Sequence, residues 1–309
     1  MPQPILSQVH IDRAITQAAL RYKNQAFIAD QVAPIVPVTK ESDYMFIFDK
    51  AEWLRDVAAN DRRPGSRAPR SGYTLSNLRY QLQEIAIAHG VPDRIVAGAD
   101  DPLRPIQNGT DFCMQLALLR RERRTRDLFN GATAWGTNTT LSGTNQWSDF
   151  VNSDPANDIA TAKRTVLQNT GFMPNTMIVG QATHDKLQIH PDGLDRFKYT
   201  QTGIMTNEMI AQWLGIDRYI VGRATRNTAA EAAAFVGSFI WTDNAVILYV
   251  PAAPSIEEPS GAYIYQKGGV DIRSFYEDAE QQTVVEVTIN TDPRIVGSDL
   301  GYQYIDTNA

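Results

Sequence analysis

The run from Asn175 to Thr200, NTMIVGQATHDKLQIHPDGLDRFKYT, constrains the fold of this chain more than any other stretch. Thr176-Met177-Ile178-Val179 reads as a short apolar strand that stops at Gly180, and Gln181 to Gln188 reads as a helix-like turn that follows at once. His190-Pro191-Asp192 then turns the chain into the basic-aromatic run Asp195-Arg196-Phe197-Lys198-Tyr199-Thr200. The same alternation continues on both sides. Ser153-Asp154-Pro155 is a helix start with proline in the first turn, and that helix runs to about Asn169, where Gly171 closes it. A further helix spans Thr206-Asn207-Glu208 to Trp213-Leu214-Gly215, and Tyr219-Ile220-Val221-Gly222 is a strand. Phe235 to Thr242 and Ala245 to Val250 are expected to pair as a hairpin across Asp243-Asn244. Helices alternating with strands specify a mixed α/β domain from about 150 to 255.

The rest of the chain divides into three parts. Residues 1–40 read as an extended arm, with Pro2, Pro4, Pro34 and Pro37 holding the preceding residues away from the α region, and one amphipathic patch from Ile11 to Leu20. Such an arm buries little by itself and is expected to need a partner surface. Next, Tyr44-Met45-Phe46-Ile47-Phe48 is a strand whose returning partner lies in Tyr73-Thr74-Leu75 and Leu78 to Leu82. Residues 55–72, between them, hold two prolines, two glycines and the five arginines Arg55, Arg62, Arg63, Arg67 and Arg70. A polar connection of this length is either a mobile loop or functional. The functional reading is a projecting two-stranded arm whose arginines pair with carboxylates of a neighbouring subunit, since the planar guanidinium suits that geometry.

A long helix follows. Its N-cap candidates lie in Asn108-Gly109-Thr110-Asp111, its apolar face in Phe112, Leu116 and Leu119, and its stop in Asn130-Gly131. Arg120 to Asp127 reads as a solvated charged face with Glu122 paired to Arg126. A nucleic-acid reading of this run lacks interleaved aromatic residues for base stacking. After Gly131 the chain turns polar and loose, from Thr137 to Asn145, which marks a boundary. Beyond Pro251, Pro254 and Pro259 come three more strands, Ala262 to Tyr265, Val270 to Tyr276 and Thr283 to Ile289, expected to pack under the long helix.

With 309 residues the chain can hold one large or two moderate cores, and 43% apolar with 21% charged residues is ordinary for a globular protein. No segment reaches the roughly 18 consecutive apolar residues of a membrane helix, and Met1 to Gln8 lacks the basic start and apolar centre of a secretory signal. A single cysteine, Cys113, rules out a disulfide within the chain and is read as a buried inert thiol in a reducing cytoplasm.

Catalytic signatures are missing. The histidines His10, His89, His184 and His190 are scattered, without H-E-x-x-H or Cys-x-x-Cys spacing. His184, Asp185, His190 and Asp192 are the nearest approach to a metal cluster, but the spacing matches no standard ligand set and Pro191 interrupts it, so local structure is the expected role. Asp100-Asp101 lacks the ligand pattern of a calcium loop and reads as a polar turn before Pro102. No G-x-S-x-G elbow or Walker phosphate loop occurs. The chain is therefore not expected to be an enzyme, and no catalytic, cofactor or metal residue is assigned.

Pro174-Asn175-Thr176 followed by an apolar strand and Gly180, a helix, then His190-Pro191-Asp192 and Asp195 to Thr200, closely resembles the central domain of tailed-bacteriophage major capsid proteins. The resemblance implies an α+β Hong Kong 97-like fold. It would comprise an N-terminal arm (1–40), an extended loop hairpin (41–81), a peripheral domain with a long spine helix (82–150 and 256–309) and a central axial α/β domain (151–255). It implies a chain that assembles with copies of itself into pentamers and hexamers of an icosahedral shell around double-stranded DNA held without sequence specificity. The net charge of −6 is consistent with a wall to which DNA does not stick. It further implies portal and decoration partners, assembly in the bacterial host cytoplasm, and a place in the virion capsid rather than a membrane. Because the arm is reached almost at once, the scaffold is expected to be a separate protein. Only Lys50 stands at the base of the loop, which argues against lysine crosslinking. Two other classes stay open: an encapsulin-like cellular compartment on the same fold, and a soluble α/β enzyme.

Overall fold

Two five-stranded sheets and one 25-residue helix organise the described part of the chain. The computed structural model describes residues 27–48, 50–56, 61, 64–68, 70, 72–98, 104–131, 133–197, 204–231 and 233–308. In chain order the first elements are α1 (Ala29–Val32), β1 (Ile35–Pro37), β2 (Ser42–Phe48), α2 (Lys50–Trp53), β3 (Leu75–Gln81), β4 (Gln83–Pro92), α3 (Asp93–Ala97), α4 (Pro105–Phe129) and β5 (Thr137–Thr140). Then follow α5 (Pro155–Thr170), β6 (Thr176–Gly180), α6 (Gln181–Gln188), α7 (Pro191–Arg196), α8 (Asn207–Leu214), β7 (Arg218–Gly222), β8 (Thr225–Asn227) and β9 (Gly237–Phe239). The chain ends with β10 (Ala245–Leu248), β11 (Ala262–Gln266), β12 (Asp271–Glu277), β13 (Gln282–Ile295) and β14 (Gly301–Ile305).

The first sheet is built around β13. One edge of this long strand pairs antiparallel with β4, while the other pairs first with β12 and then with β11. β1 adds to β11 in parallel. The alternation of Val285, Val287 and Ile289 sends these side chains to one face, where Cys113, Met114 and Ala117 of α4 cover them. The three C-terminal strands therefore do pack beneath the long helix, as expected.

That helix starts earlier than its sequence suggests. Pro105 occupies the first turn, where its fixed φ is already helical and its missing N–H costs nothing. Asn108 and Gly109 thus lie inside the helix. Gly109 is needed there because a Cβ would come within 2.8 Å of the His89 ring on β4. The buried stripe runs through Cys113, Ala117, Arg121, Glu122, Thr125 and Phe129, while Phe112 is exposed. The expected solvated pair between Glu122 and Arg126 does not form. Glu122 is fully buried and bonded elsewhere, and Arg126 meets Asp127 at 2.9 Å instead.

The second sheet runs in the order β5-β14-β10-β6-β7. All five residues of β6 are buried, which fits a continuous apolar run covered on both faces. Met177 and Val179 point to a core shared with α5, α6 and α8, through Ile159, Val166, Leu187 and Ile210. Ile178 points the other way, into a core with Phe129, Trp135 and Trp241. The flanking helices have the caps their sequences advertise. Asp154 accepts from the Asn157 amide at 3.0 Å, Thr206 accepts from Met209, and Gly171 and Gly215 close α5 and α8 at φ 78° and 63°.

Three expectations are corrected. Ala245–Leu248 does not form a hairpin with the segment before it. It lies between β6 and β14, because a strand buried on both faces needs a partner on each side. Gly237–Phe239 pairs instead with Thr225–Asn227. The Asp243-Asn244 turn holds the C-terminal segment, accepting from Thr307 N at 2.9 Å and Asp306 N at 3.4 Å. The polar run at Thr137 is not loose but forms an edge strand parallel to β14, a position that suits polar side chains. Finally, the described part of the arm needs no partner surface, since Phe27, Ile28, Ala29, Val32 and Ala33 are buried in the core that also holds Ile178 and Trp241. The Ile11 to Leu20 patch and Asp100-Asp101 lie outside the described residues.

Candidate functional site

β2 and β3 pair only with each other, from Ser42↔Gln81 to Phe48↔Leu75, and form a two-stranded hairpin outside both sheets. Its root is anchored. Met45 and Tyr80 join Val36, Val38, Tyr263 and Tyr265 in a small apolar cluster, with Tyr80 stacked on Tyr265 at 4.9 Å. The Gln81 amide donates to Asp292 Oδ2 at 2.9 Å, Leu82 N to the Glu41 carbonyl at 2.8 Å, and Lys267 pairs with Glu41 at 2.9 Å. Asp292 is itself held by Arg294 Nε at 2.8 Å.

The far end has the opposite character. Trp53, Leu54 and Tyr73 are 63%, 62% and 61% exposed, and the Trp53 and Tyr73 rings lie 6.3 Å apart. Glu52 accepts from Thr74 N at 2.5 Å and ties the two limbs of the loop. Lys50 pairs with Asp299, next to the start of β14. Of the arginines singled out in the sequence, Arg55, Arg67 and Arg70 are exposed and pair with no carboxylate among the described residues. Arg62 and Arg63 lie outside the described residues. A second exposed apolar group caps the β8–β9 hairpin, where Phe235 is 73% exposed beside Val236 and Phe239. Large apolar side chains grouped on outlying hairpins mark interaction surfaces. Trp53-Leu54, an apolar pair beside a strongly polar loop, was the signal in the sequence for the first of them.

His184 and His190 are each held by neighbouring side chains. His184 Nδ1 lies 3.1 Å from the Tyr219 hydroxyl. His190 Nε2 lies 3.2 Å from Ser153 Oγ, while its Nδ1 accepts from Asp192 N and its ring stacks on Trp213. Burial lowers both imidazole pKa values, opposed only in part by Asp185 for His184 and by Asp192 and Asp154 for His190. A folded-state value below the ordinary 6.5 means the unfolded chain takes up the proton first, so stability is lost as pH falls from 6.5. Acid titration of the unfolding midpoint should show this loss, and His190→Gln should flatten it. An unchanged slope in the variant would sink the assignment to His190. Cys113 is buried with its thiol pKa raised by burial. Among the described residues no three His, Cys, Asp or Glu side chains gather to hold a metal, and no helix is long and apolar enough to cross a membrane.

No protein-family model matches the chain. The major capsid protein of Burkholderia phage BcepMu is 27% identical over 303 residues, covering 94% of this chain and 95% of the relative. The major capsid protein of Pseudomonas phage JBD67 is 29% identical over 223 residues, covering 71% and 70%. Over most of its length the chain is similar to these two phage major capsid proteins. Solved structures agree in fold. A phage-related protein from Bordetella bronchiseptica RB50 superposes with a TM-score of 0.78 at 21% identity, covering 97% of this chain and 98% of that one. The capsid of cyanophage P-SCSP1u gives 0.61 at 12% identity over 99% and 92%. These superpositions show the Hong Kong 97-like α+β fold for this chain. An encapsulin from Synechococcus elongatus PCC 7942 gives 0.51 at 10% identity over 99% and 94%, so the fold alone does not separate viral from cellular shells; the sequence relatives favour the viral one.

Proposed function

We propose that copies of this capsid protein form pentamers and hexamers that tile an icosahedral shell around double-stranded DNA, which they hold without sequence specificity. The first sheet with α4 serves as the peripheral unit and the second sheet with α5 to α8 as the axial unit. On this reading β5 and β14, from the spans 82–150 and 256–309, complete the axial sheet. The β2–β3 hairpin and the N-terminal arm (1–40) clasp neighbouring subunits. Assembly takes place in the host cytoplasm with a separate scaffold, and portal and decoration proteins complete the particle. The polypeptide acts by assembly and not by catalysis.

The observation that carries the reading is the match to a phage major capsid protein through 94% of the chain. Heterologous contacts between one patch and a different one close into rings when the rotation allows, and the hairpin tip and its unknown receptor surface are a pair of that kind. Sedimentation and electron microscopy of the purified chain, alone and with a separate scaffolding protein, test the proposal. Rings and closed shells are expected. A monomer at every protein and salt concentration, with scaffold present, would remove it.

The arginines of the loop give a sharper test. Changing Arg62, Arg63, Arg67 and Arg70 to alanine should leave the subunit folded and weaken assembly, more at low salt than at high salt. Exposed ion pairs contribute only about 0.2–1 kcal/mol each, but the loss recurs at every copy of the contact. Equal shell yield and equal shell stability at both salt levels would show that the arginines do not reach a neighbour's carboxylates.

A further inference from the structure

One turn of α4 holds two segments that come to it from distant parts of the sequence. On one side, the Glu122 carboxylate accepts from Ala29 N at 2.8 Å, from Ile28 N at 3.1 Å and from Trp241 Nε1 at 2.6 Å. Arg121 adds an ion pair to Asp30 at 3.7 Å. These contacts fix the place where the arm leaves the core. Two residues further on, Arg124 donates to the Thr291 carbonyl at 3.1 Å and faces Asp292 at 3.8 Å. Asp292 in turn receives the Gln81 amide at the root of the β2–β3 hairpin. Residues two apart on a helix emerge about 200° apart around its axis, so Glu122 and Arg124 hold the two segments from different sides of the same turn, with Arg121 between them.

We propose that the Arg121–Arg124 turn is a shared joint that couples the direction of the arm to the direction of the hairpin. Neither grip can slide. Glu122 is completely buried and Asp292 nearly so, and a buried carboxylate that loses its donors is left uncompensated. A displacement of the hairpin root therefore pulls on α4 through Asp292 and Arg124 and reaches the Ile28 and Ala29 amides through Glu122. The coupling is a property of one subunit. Its use, making the hairpin and the arm of each copy respond together during assembly, rests on the capsid reading above.

Hydrogen exchange on the full-length, unassembled chain tests the joint separately from shell formation. In Asp292→Ala, amides at Gln81 and Leu82 should exchange roughly tenfold faster, and the peptide covering residues 27–33 at least about threefold faster, with the Ile178 and Val179 amides unchanged. Arg124→Met, which touches neither segment directly, should give the same pattern at smaller amplitude, and it decides alone if the aspartate variant does not fold. Unchanged exchange in residues 27–33 would overturn the joint. So would equal acceleration of all amides, Ile178 and Val179 included, because that is loss of global stability and not coupling.

Discussion

Glu122→Ala is expected to destabilise the subunit by about 3–5 kcal/mol, the range for removing one partner of a buried charged network. The side chain has no exposed surface, and its two oxygens satisfy the Ile28 and Ala29 amides and the Trp241 indole N–H. Alanine leaves those donors unpaired in an apolar core and opens a cavity beside Ile28, Ala29 and Trp241. Glu122→Gln keeps the shape and one acceptor but points an amide group at neighbours that are all donors, so an intermediate loss of about 1–3 kcal/mol is expected. The pH dependence distinguishes charge from shape. Burial raises the carboxyl pKa above the ordinary 4.5, against the hydrogen bonds from Trp241, Ile28 and Ala29 and the nearby Arg121 charge, which lower it. The folded state then holds the proton to higher pH than the unfolded one, so this group's contribution is fully present below 4.5 and declines as pH rises through the folded value. Urea unfolding followed by tryptophan fluorescence should show that decline in the native chain and not in Glu122→Gln. A loss below about 1 kcal/mol in Glu122→Ala would mean that water or a rearranged neighbour replaces the carboxylate.

Glu122 also marks where sequence reasoning stops. The residues around it, Arg120 to Asp127, look like a solvated face because charge is ordinarily a guide to exposure. What reverses the reading is tertiary. The arm folds back over the helix and presents two main-chain amides and an indole, a combination that no local pattern contains. Asp292 is hidden for the same reason, since its partners Gln81, Arg124 and Arg294 come from three elements. By contrast, α5, β6, α6 and α8 were legible almost to the residue, because their signals are local: Asp154-Pro155 and Thr206 as starts, Gly171 and Gly215 as stops, and an apolar run between Asn175 and Gly180. Strand partnership was not legible. Ala245–Leu248 is plainly a strand by composition, but which strands flank it depends on burial of both its faces, and a tight turn beside it misdirected the pairing. The loop arginines are conspicuous by number, while the apolar tip next to them is marked in the sequence only by the pair Trp53-Leu54, and Tyr73 joins it only once the fold brings the two limbs together.

Changing Trp53, Leu54 and Tyr73 together to serine should abolish shell formation while leaving the subunit folded, and it should do so more completely than loss of the four arginines. All three side chains are more than half exposed and lie outside the buried apolar clusters, so their removal leaves the cores of the isolated subunit intact. The hairpin root that positions them, built on Met45, Tyr80 and Tyr265, is untouched. Burying a large apolar side chain at an interface contributes about 1.5–3 kcal/mol, and Trp and Tyr dominate the strongest contacts of known interfaces. Three such losses, at about 1.4 kcal/mol for each tenfold in affinity, take a contact between copies well below the strength that assembly at ordinary protein concentration requires. Arginine pairs on the same loop contribute less each and are screened by salt. The measurement is shell yield by sedimentation, with the unfolding midpoint of the unassembled subunit as the control. Normal shells from the triple variant would show that the tip faces solvent in the particle and that the contacts between copies lie elsewhere, with the Phe235, Val236 and Phe239 group on the β8–β9 hairpin as the next surface to remove.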